Sequence, residues 1–521
     1  MAGTMSNRET ALPSDEGSRR LLPVTAPPMK RYLTLLLSLL FVLPLPAQSR
    51  REALLEYQAR RRQAYTEFRD NYRKACADFM RKRWEAFRAE APVPVPERRE
   101  PDIPVMKHPD APSVPTQDRM PYDKVVDLPE PAPEMPDAPG IAETPVLPGK
   151  PAAGTDDAAP AVDVSRPFKF TFYGTGCSVS LAAKHRFNLA SVQENSVANA
   201  WEGVSRGSYD AVAAECVALK KALGLNDWGY YDLVRTLADG FCGPKTNESV
   251  VLQSFLMAEA GYKVRMARGG GRLFLLLATD GQVYARPYFN IDGQVFYILD
   301  DVPRAASYNI CNFTIPGERP LSLAMPAPPL FAQKPAAPAV RNFDGVVSTT
   351  VTVNRNLMDF YTNYPPCHWS VYAATALTAP VRGQLYPLLR AAVAGKGERE
   401  AAELLLHYLH RAFPYKTDEA QFGVERTLFA EEMYYYPYSD CEDRSILFAR
   451  LVKDLLGLDV VLLYYPAHIA TAVCFKGEVK GDYMQLGNKR YVICDATYIG
   501  AGVGEAMPDL KRTPAQVVRI D

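Results

Sequence analysis

The run SDCEDRSILFARLVKDLLGLDVVLL (residues 439–463) reads as a polar cap, a helix, a stop and a strand. Ser439 and Asp440 suit a helix N-cap, and Glu442 and Asp443 fall in the first turn, where carboxylates meet the positive end of the helix dipole. Leu447, Phe448, Leu451, Val452 and Leu455 form one apolar stripe, and Gly457 supplies the stop before a β-branched run. Cys441 is therefore expected at a helix N-terminus. A thiol is only a few per cent thiolate near neutral pH, so a nucleophilic cysteine needs a base beside it. The dipole favours the thiolate while Glu442 and Asp443 oppose it, which makes an imidazolium partner decisive.

Downstream the chain offers both remaining members of such a set. In HIATAVCF (residues 468–475), alternation puts His468, Ala470, Ala472 and Cys474 on one strand face, where the small alanines would let a helix terminus approach. Asp495 ends RYVICD (residues 490–495), and a strand beside that of His468 would set its carboxylate against the imidazole edge. The same aspartate also suits the opening of the turn DATYIG, and the two roles can coexist. Cys441, His468 and Asp495 are the candidate catalytic residues. His407 and His410 share an earlier helix, and His368 directly follows Cys367, a poor geometry for a dyad.

SDCEDRSILFARLV, then a histidine in a strand, then CDATY resembles the transglutaminase-like superfamily. The resemblance covers about residues 422–504, roughly the last fifth of the chain, and FGVER (residues 422–426) adds an arginine, Arg426, that bacterial members often carry there. It implies an α+β, papain-like core with the cysteine helix packed on an antiparallel sheet. It also implies acyl transfer through a thioester, with Cys441 as nucleophile, His468 as base then acid, and Asp495 as orienter. Ala496 stands where proline is commoner, and the usual tryptophan near the histidine is absent. Gln421, Tyr435 and Tyr436 are open candidates for the oxyanion-stabilising side chain, beside the backbone N–H of Cys441. No DxDxDG loop occurs, so neither a metal nor another cofactor is expected.

At 521 residues the chain exceeds one ordinary domain. Lys and Arg (59) balance Asp and Glu (59), which gives no global field for nucleic acid. Residues 1–28 read as a polar leader or a mis-assigned start. Residues 29–47, MKRYLTLLLSLLFVLPLPA, read as a secretory signal with a basic start, a short apolar core and a small residue before the cut. A secreted or periplasmic location is the expectation. Residues 48–91 lack Pro and Gly and read as one long basic amphipathic helix, docked on its own protein or touching the cell envelope. Residues 92–165 are Pro-rich and read as an extended linker. Nine cysteines show no CxxC pair, and an odd count in an exported protein leaves at least one thiol unpaired.

Residues 166–310 read as a second α+β region, 311–341 as a Pro/Ala-rich connection, and 342–521 as the catalytic region. The two regions run parallel in type. NESVVLQSFLMAEAGYKVRMA (residues 247–267) matches DRSILFARLVKDLLGLDVVLL, and FYILDD (residues 296–301) matches YVICDAT (residues 491–497). Gly261 to Asp300 is 39 residues and Gly457 to Asp495 is 38. A divergent repeat follows as an expectation, with the first copy chemically empty: the Cys441 position falls near Lys245 and the His468 position near Arg272. The expected function is an exported cysteine acyltransferase or peptidase acting on a protein or peptide, cell-wall peptides included. The alternative is an inactive binding or scaffold module of the cell envelope on the same fold.

Overall fold

The computed structural model describes residues 47–96, 103–106, 116–128, 162–299 and 307–520. The expected leader and signal, residues 1–46, lie outside the described residues. Contacts divide the chain into two compact units, Met1–Ala64 and Tyr65–Asp521, and α1 (Ala47–Met80) runs through the boundary. The remaining description concerns the second unit, which holds both the 166–310 and 342–521 regions as one body.

The protein is α+β, built on an N-terminal helix, two six-stranded sheets and many helices. After α1 come β1 (Glu85–Phe87), β2 (Tyr122–Val126) and the hairpin β3 (Phe168–Phe172) and β4 (Thr175–Val179). Helices α2 (Glu194–Ser205), α3 (Asp210–Ala222), α4 (Asp227–Cys242) and α5 (Asn247–Glu259) precede β5 (Val264–Gly269), β6 (Arg272–Ala278), β7 (Tyr288–Ile291), β8 (Gln294–Ile298) and β9 (Tyr308–Cys311). A second hairpin, β10 (Ala339–Phe343) and β11 (Val347–Val351), opens the next half. Helices α6 (Arg355–Thr362), α7 (Trp369–Ala374), α8 (Ala379–Val393), α9 (Glu398–Ala412), α10 (Asp418–Phe422) and α11 (Cys441–Leu456) follow. The chain ends in β12 (Asp459–Tyr465), β13 (His468–Cys474), β14 (Tyr483–Leu486), β15 (Lys489–Cys494) and β16 (Ala515–Arg519).

The two sheets share one strand order. The first runs β1-β9-β5-β6-β8-β7, and the second, read from its far edge, runs β2-β16-β12-β13-β15-β14. The central hairpins agree residue for residue: Gly269 pairs with Arg272 across two residues, as Tyr465 pairs with His468. Arg272 thus holds the position of His468. The neighbouring strands agree as well, since Leu276 pairs with Ile298 where Ala472 pairs with Ile493. Asp300, the sequence counterpart of Asp495, lies outside the described residues. At the Cys441 position, Arg272 donates through Nη2 to the Lys245 carbonyl at 3.3 Å, so the two matched positions touch in the first half.

Two sequence expectations change. The long helix stops at Met80, not near residue 91, although no Pro or Gly intervenes. The indole of Trp84 donates to the Met80 carbonyl at 2.9 Å and is buried beneath Arg268, and β1 then joins the edge of β9, so tertiary burial overrides helix propensity. Arg73 on this helix is buried and grips Glu259 with two nitrogens, at 2.9 and 2.6 Å, and Asp210 at 2.8 Å. The 92–165 stretch is not a bare spacer where it is described: β2 pairs in parallel with β16, and Arg119 bridges Tyr483. The 311–341 connection packs into the core, where Leu321, Leu323, Met325 and Phe331 are all buried.

Candidate active site

Helix α11 starts at Cys441 with Asp440 as N-cap, and its end is closed by Gly457 in the left-handed region, φ 64°. Sixteen residues of helix advance about 24 Å. The seven residues of β12 return about 23 Å, so the hairpin brings His468 back level with the N-terminus of α11. A direct bond confirms the docking: Ser445 Oγ, one helical turn after Cys441, donates to the carbonyl of Ile469 at 3.0 Å. Ala467 in the preceding turn takes φ 67°, a strained conformation for a residue with a Cβ, immediately before His468.

His468 and Asp495 meet as the sequence suggests. Nε2 of His468 lies 2.8 Å from Oδ2 of Asp495, with both side chains 1% exposed. A carboxylate only accepts, so Nε2 carries the proton and Nδ1 is the basic nitrogen. The other oxygen of Asp495 accepts from the N–H groups of Thr497 (2.9 Å) and Tyr498 (3.1 Å), so the turn role is filled as well. Burial alone would raise the carboxyl. The His468 charge and the three hydrogen bonds outweigh it and hold Asp495 below its ordinary 3.8.

The alanines act differently from expectation. Ala470 and Ala472 pack on the far face of the sheet with Met484, Tyr491 and Ile493, whereas α11 lies over Ile469 and Val473. By the same alternation His468 starts on that far face, so the helix terminus and the imidazole can meet only around the end of the sheet. Asp443 serves as a brace: Oδ2 accepts from the Asp440 N–H at 3.4 Å and Oδ1 from the Leu428 N–H at 2.8 Å. Glu442 Oε2 lies 3.7 Å from the Cys441 sulfur.

Among the oxyanion candidates, Gln421 spends both ends of its amide on the Tyr438 backbone, each at 3.2 Å. Tyr436 lies under the Arg426 guanidinium and edge-on to Tyr435, and its hydroxyl sits 3.4 Å from that of Thr362. The Cys441 N–H lies in the first turn of α11. Asp418, Glu425, Asp440 and Glu442 bring one oxygen each within 4.8 Å of one another. This oxygen-only set, gathered from three segments, is where a hard cation such as Ca²⁺ would be held if one binds. All nine cysteines are free thiols. Burial raises the thiols of the other eight, Cys177 to about 11 and Cys242 and Cys311 to about 12, and so keeps them protonated.

One supporting residue escaped the sequence reading. His410 on α9 lies 3.0 Å through Nε2 from the backbone carbonyl of Asp495. Burial pushes its imidazole down to about 4, so it is neutral in the fold and donates that proton. The unfolded chain binds a proton at His410 below about 6.5, so the unfolded state gains protons between about pH 6.5 and 4 and stability falls as pH drops through that window. In His410→Gln, urea-unfolding stability is expected to lose less over this range, by about 1.4 kcal/mol per pH unit at most. Parallel curves for the two proteins would contradict this linkage.

No family model, curated protein or solved structure matches the chain. Among the described residues, no helix is long and apolar enough to cross a membrane.

Proposed function

We propose that this protein is a cysteine-dependent acyl-transfer enzyme acting on amide bonds, with a transglutaminase-like catalytic half and a divergent, chemically empty copy before it. The observation that carries the reading is the buried His468–Asp495 pair, 2.8 Å apart, at the same end of the sheet as the N-terminus of the Cys441 helix. The common strand order and the Arg272–His468 correspondence support the copy.

The steps follow from the groups present. Nδ1 of His468 takes the Cys441 proton as sulfur attacks the amide carbonyl, and the negative oxygen faces the N-terminal N–H groups of α11. The imidazolium returns the proton to the departing amine, and the C–N bond breaks to leave a thioester. Water or a primary amine then attacks, His468 takes its proton, and the thiol re-forms as acid or new amide leaves. Asp495 holds the imidazole in the productive tautomer throughout. Cys441 is only 2% exposed, so substrate entry requires local opening around it. The signal-like residues 29–47 support a location outside the cytoplasm, with protein or peptide substrates, cell-wall peptides among them.

The test is to incubate the protein with casein and with short cell-wall peptides, with and without a fluorescent primary amine, beside Cys441→Ala. Amine incorporation is expected for a crosslinking enzyme and new carboxyl groups for a hydrolase. Activity no greater than that of Cys441→Ala in both assays would favour the scaffold alternative.

A further inference from the structure

The half without the triad helps to build a cavity that Glu425 links to the helical turn of the nucleophile. About 320 Å³ of space opens where the two halves meet, lined by Trp228 and Arg235 of α4 and Arg286 from the β6–β7 connection. The catalytic half contributes Tyr364, Glu425 and Arg426. Backbone pairing fixes the junction: the Tyr284 N–H donates to the Pro366 carbonyl at 2.8 Å, and Val283 bridges Cys367. The Ala285 N–H donates to Val93 at 2.7 Å, so the segment after β1 closes a third side.

The cavity is joined to the nucleophile's own helical turn. Glu425 shares the carboxylate cluster with Asp440 and Glu442, the two residues flanking Cys441. Two residues after Arg426, the Leu428 N–H is bonded to Asp443 of the same turn. Three arginines, Arg235, Arg286 and Arg426, and one glutamate, Glu425, line this space, and Arg235 is also ion-paired to Asp232 at 2.6 Å. Arg426 is ion-paired to Glu432 through Nη2 and sits on the rings of Phe422 and Tyr436, while its Nη1 is buried and donates to no atom among the described residues. Such a donor costs free energy unless an acceptor arrives.

We infer that this cavity recognises a carboxylate-bearing portion of the peptide substrate, the first half having exchanged catalysis for recognition. The inference rests on the acyl-transfer reading. Guanidinium groups match a carboxylate in shape and charge, and Trp228 against Tyr364, ring centroids 5.9 Å apart, gives an apolar wall. The volume is at the low end of the roughly 300–1,000 Å³ of small-molecule sites, which suits a side chain or chain end. Glu425, at the nucleophile end, repels the carboxylate and so sets the direction of binding.

The experiment measures binding to Cys441→Ala protein of N-acetylated tripeptides carrying one aspartate or glutamate, beside their asparagine or glutamine counterparts. Acidic peptides are expected to bind at least about tenfold more tightly, with a preference that weakens in high salt. Arg235→Gln and Arg286→Gln should each reduce that preference about tenfold, while Arg286→Lys keeps most of it and so separates lost charge from misfolding. Equal binding of the two peptide sets, or a preference that survives both glutamine variants, overturns the inference. Failure of the acyl-transfer reading has a different signature: Cys441 alkylation in otherwise wild-type protein would be independent of His468, whatever the peptide preference.

Discussion

His468→Ala is expected to lower turnover by about 10³-fold and to slow alkylation of Cys441 across pH 6–8. A positioned general base contributes about 10²–10⁴ in rate, and here one group serves as base in the first half-reaction and acid in the second. Glu442 Oε2 lies 3.7 Å from the sulfur and clusters with Asp418, Glu425 and Asp440. Arg444 is within electrostatic reach of Cys441, yet its guanidinium is buried and bonded to the Phe413 carbonyl and to Ser439 Oγ, which fixes it as a brace for the loops. Because His468 is 1% exposed, the alanine also leaves a cavity. His468→Gln fills the space without a base and should be as slow as the alanine. The measurement is peptide-resolved mass spectrometry of iodoacetamide labelling, beside amide turnover. Wild-type labelling rates in both variants would remove His468 from the mechanism.

What the sequence revealed and what it concealed divide along local and long-range physics. The N-cap at Asp440, the stop at Gly457, the strand that opens on His468 and the strand that ends one residue before Asp495 are written in neighbouring residues. The likeness of the two halves was legible from matching glycine-to-aspartate spacings, and the shared strand order gives that likeness a structural counterpart. Sheet edges are another matter. β1 pairs with β9 more than two hundred residues away, and β2 pairs with β16 almost four hundred away, from a stretch whose prolines read as linker. Pairing across such distances leaves no periodic signal in a segment of three to five residues. His410 was hidden for a related reason. Its value lies in reaching the backbone of Asp495, 85 residues away, and a backbone carbonyl has no signature in sequence. The far-face placement of Ala470 and Ala472 shows the limit of strand alternation, which sorts side chains into two faces without saying which face receives the helix.

Asp495→Ala is expected to be the most damaging single substitution to stability, and Asp495→Asn to separate that damage from catalysis. The Asp495 carboxylate is fully enclosed and accepts from His468, Thr497 and Tyr498. Alanine leaves the buried His468 Nε2–H and the two turn N–H groups without an acceptor, at about 1–3 kcal/mol each. Asparagine keeps an oxygen for Thr497 and Tyr498, so its stability loss should be smaller, about 1–2 kcal/mol. It presents either an amide N–H or a neutral oxygen to Nε2, and in both cases it loses the charge that steadies the imidazolium. Turnover in Asp495→Asn is therefore expected to fall about 10²–10⁴-fold while the fold survives. The pH dependence has a definite sign. The folded carboxyl is held below the unfolded 3.8, so its contribution is present above that value and is lost as pH falls through the lower folded value. Acid unfolding of the wild type should carry this loss, and Asp495→Asn should lack it. Urea unfolding at pH 7 and pH 3.5, with turnover at pH 7, tests both halves of the argument. Equal stability of the alanine and asparagine variants would show that the turn N–H groups contribute nothing, and wild-type turnover in Asp495→Asn would show that the carboxylate charge does no more than hold the turn.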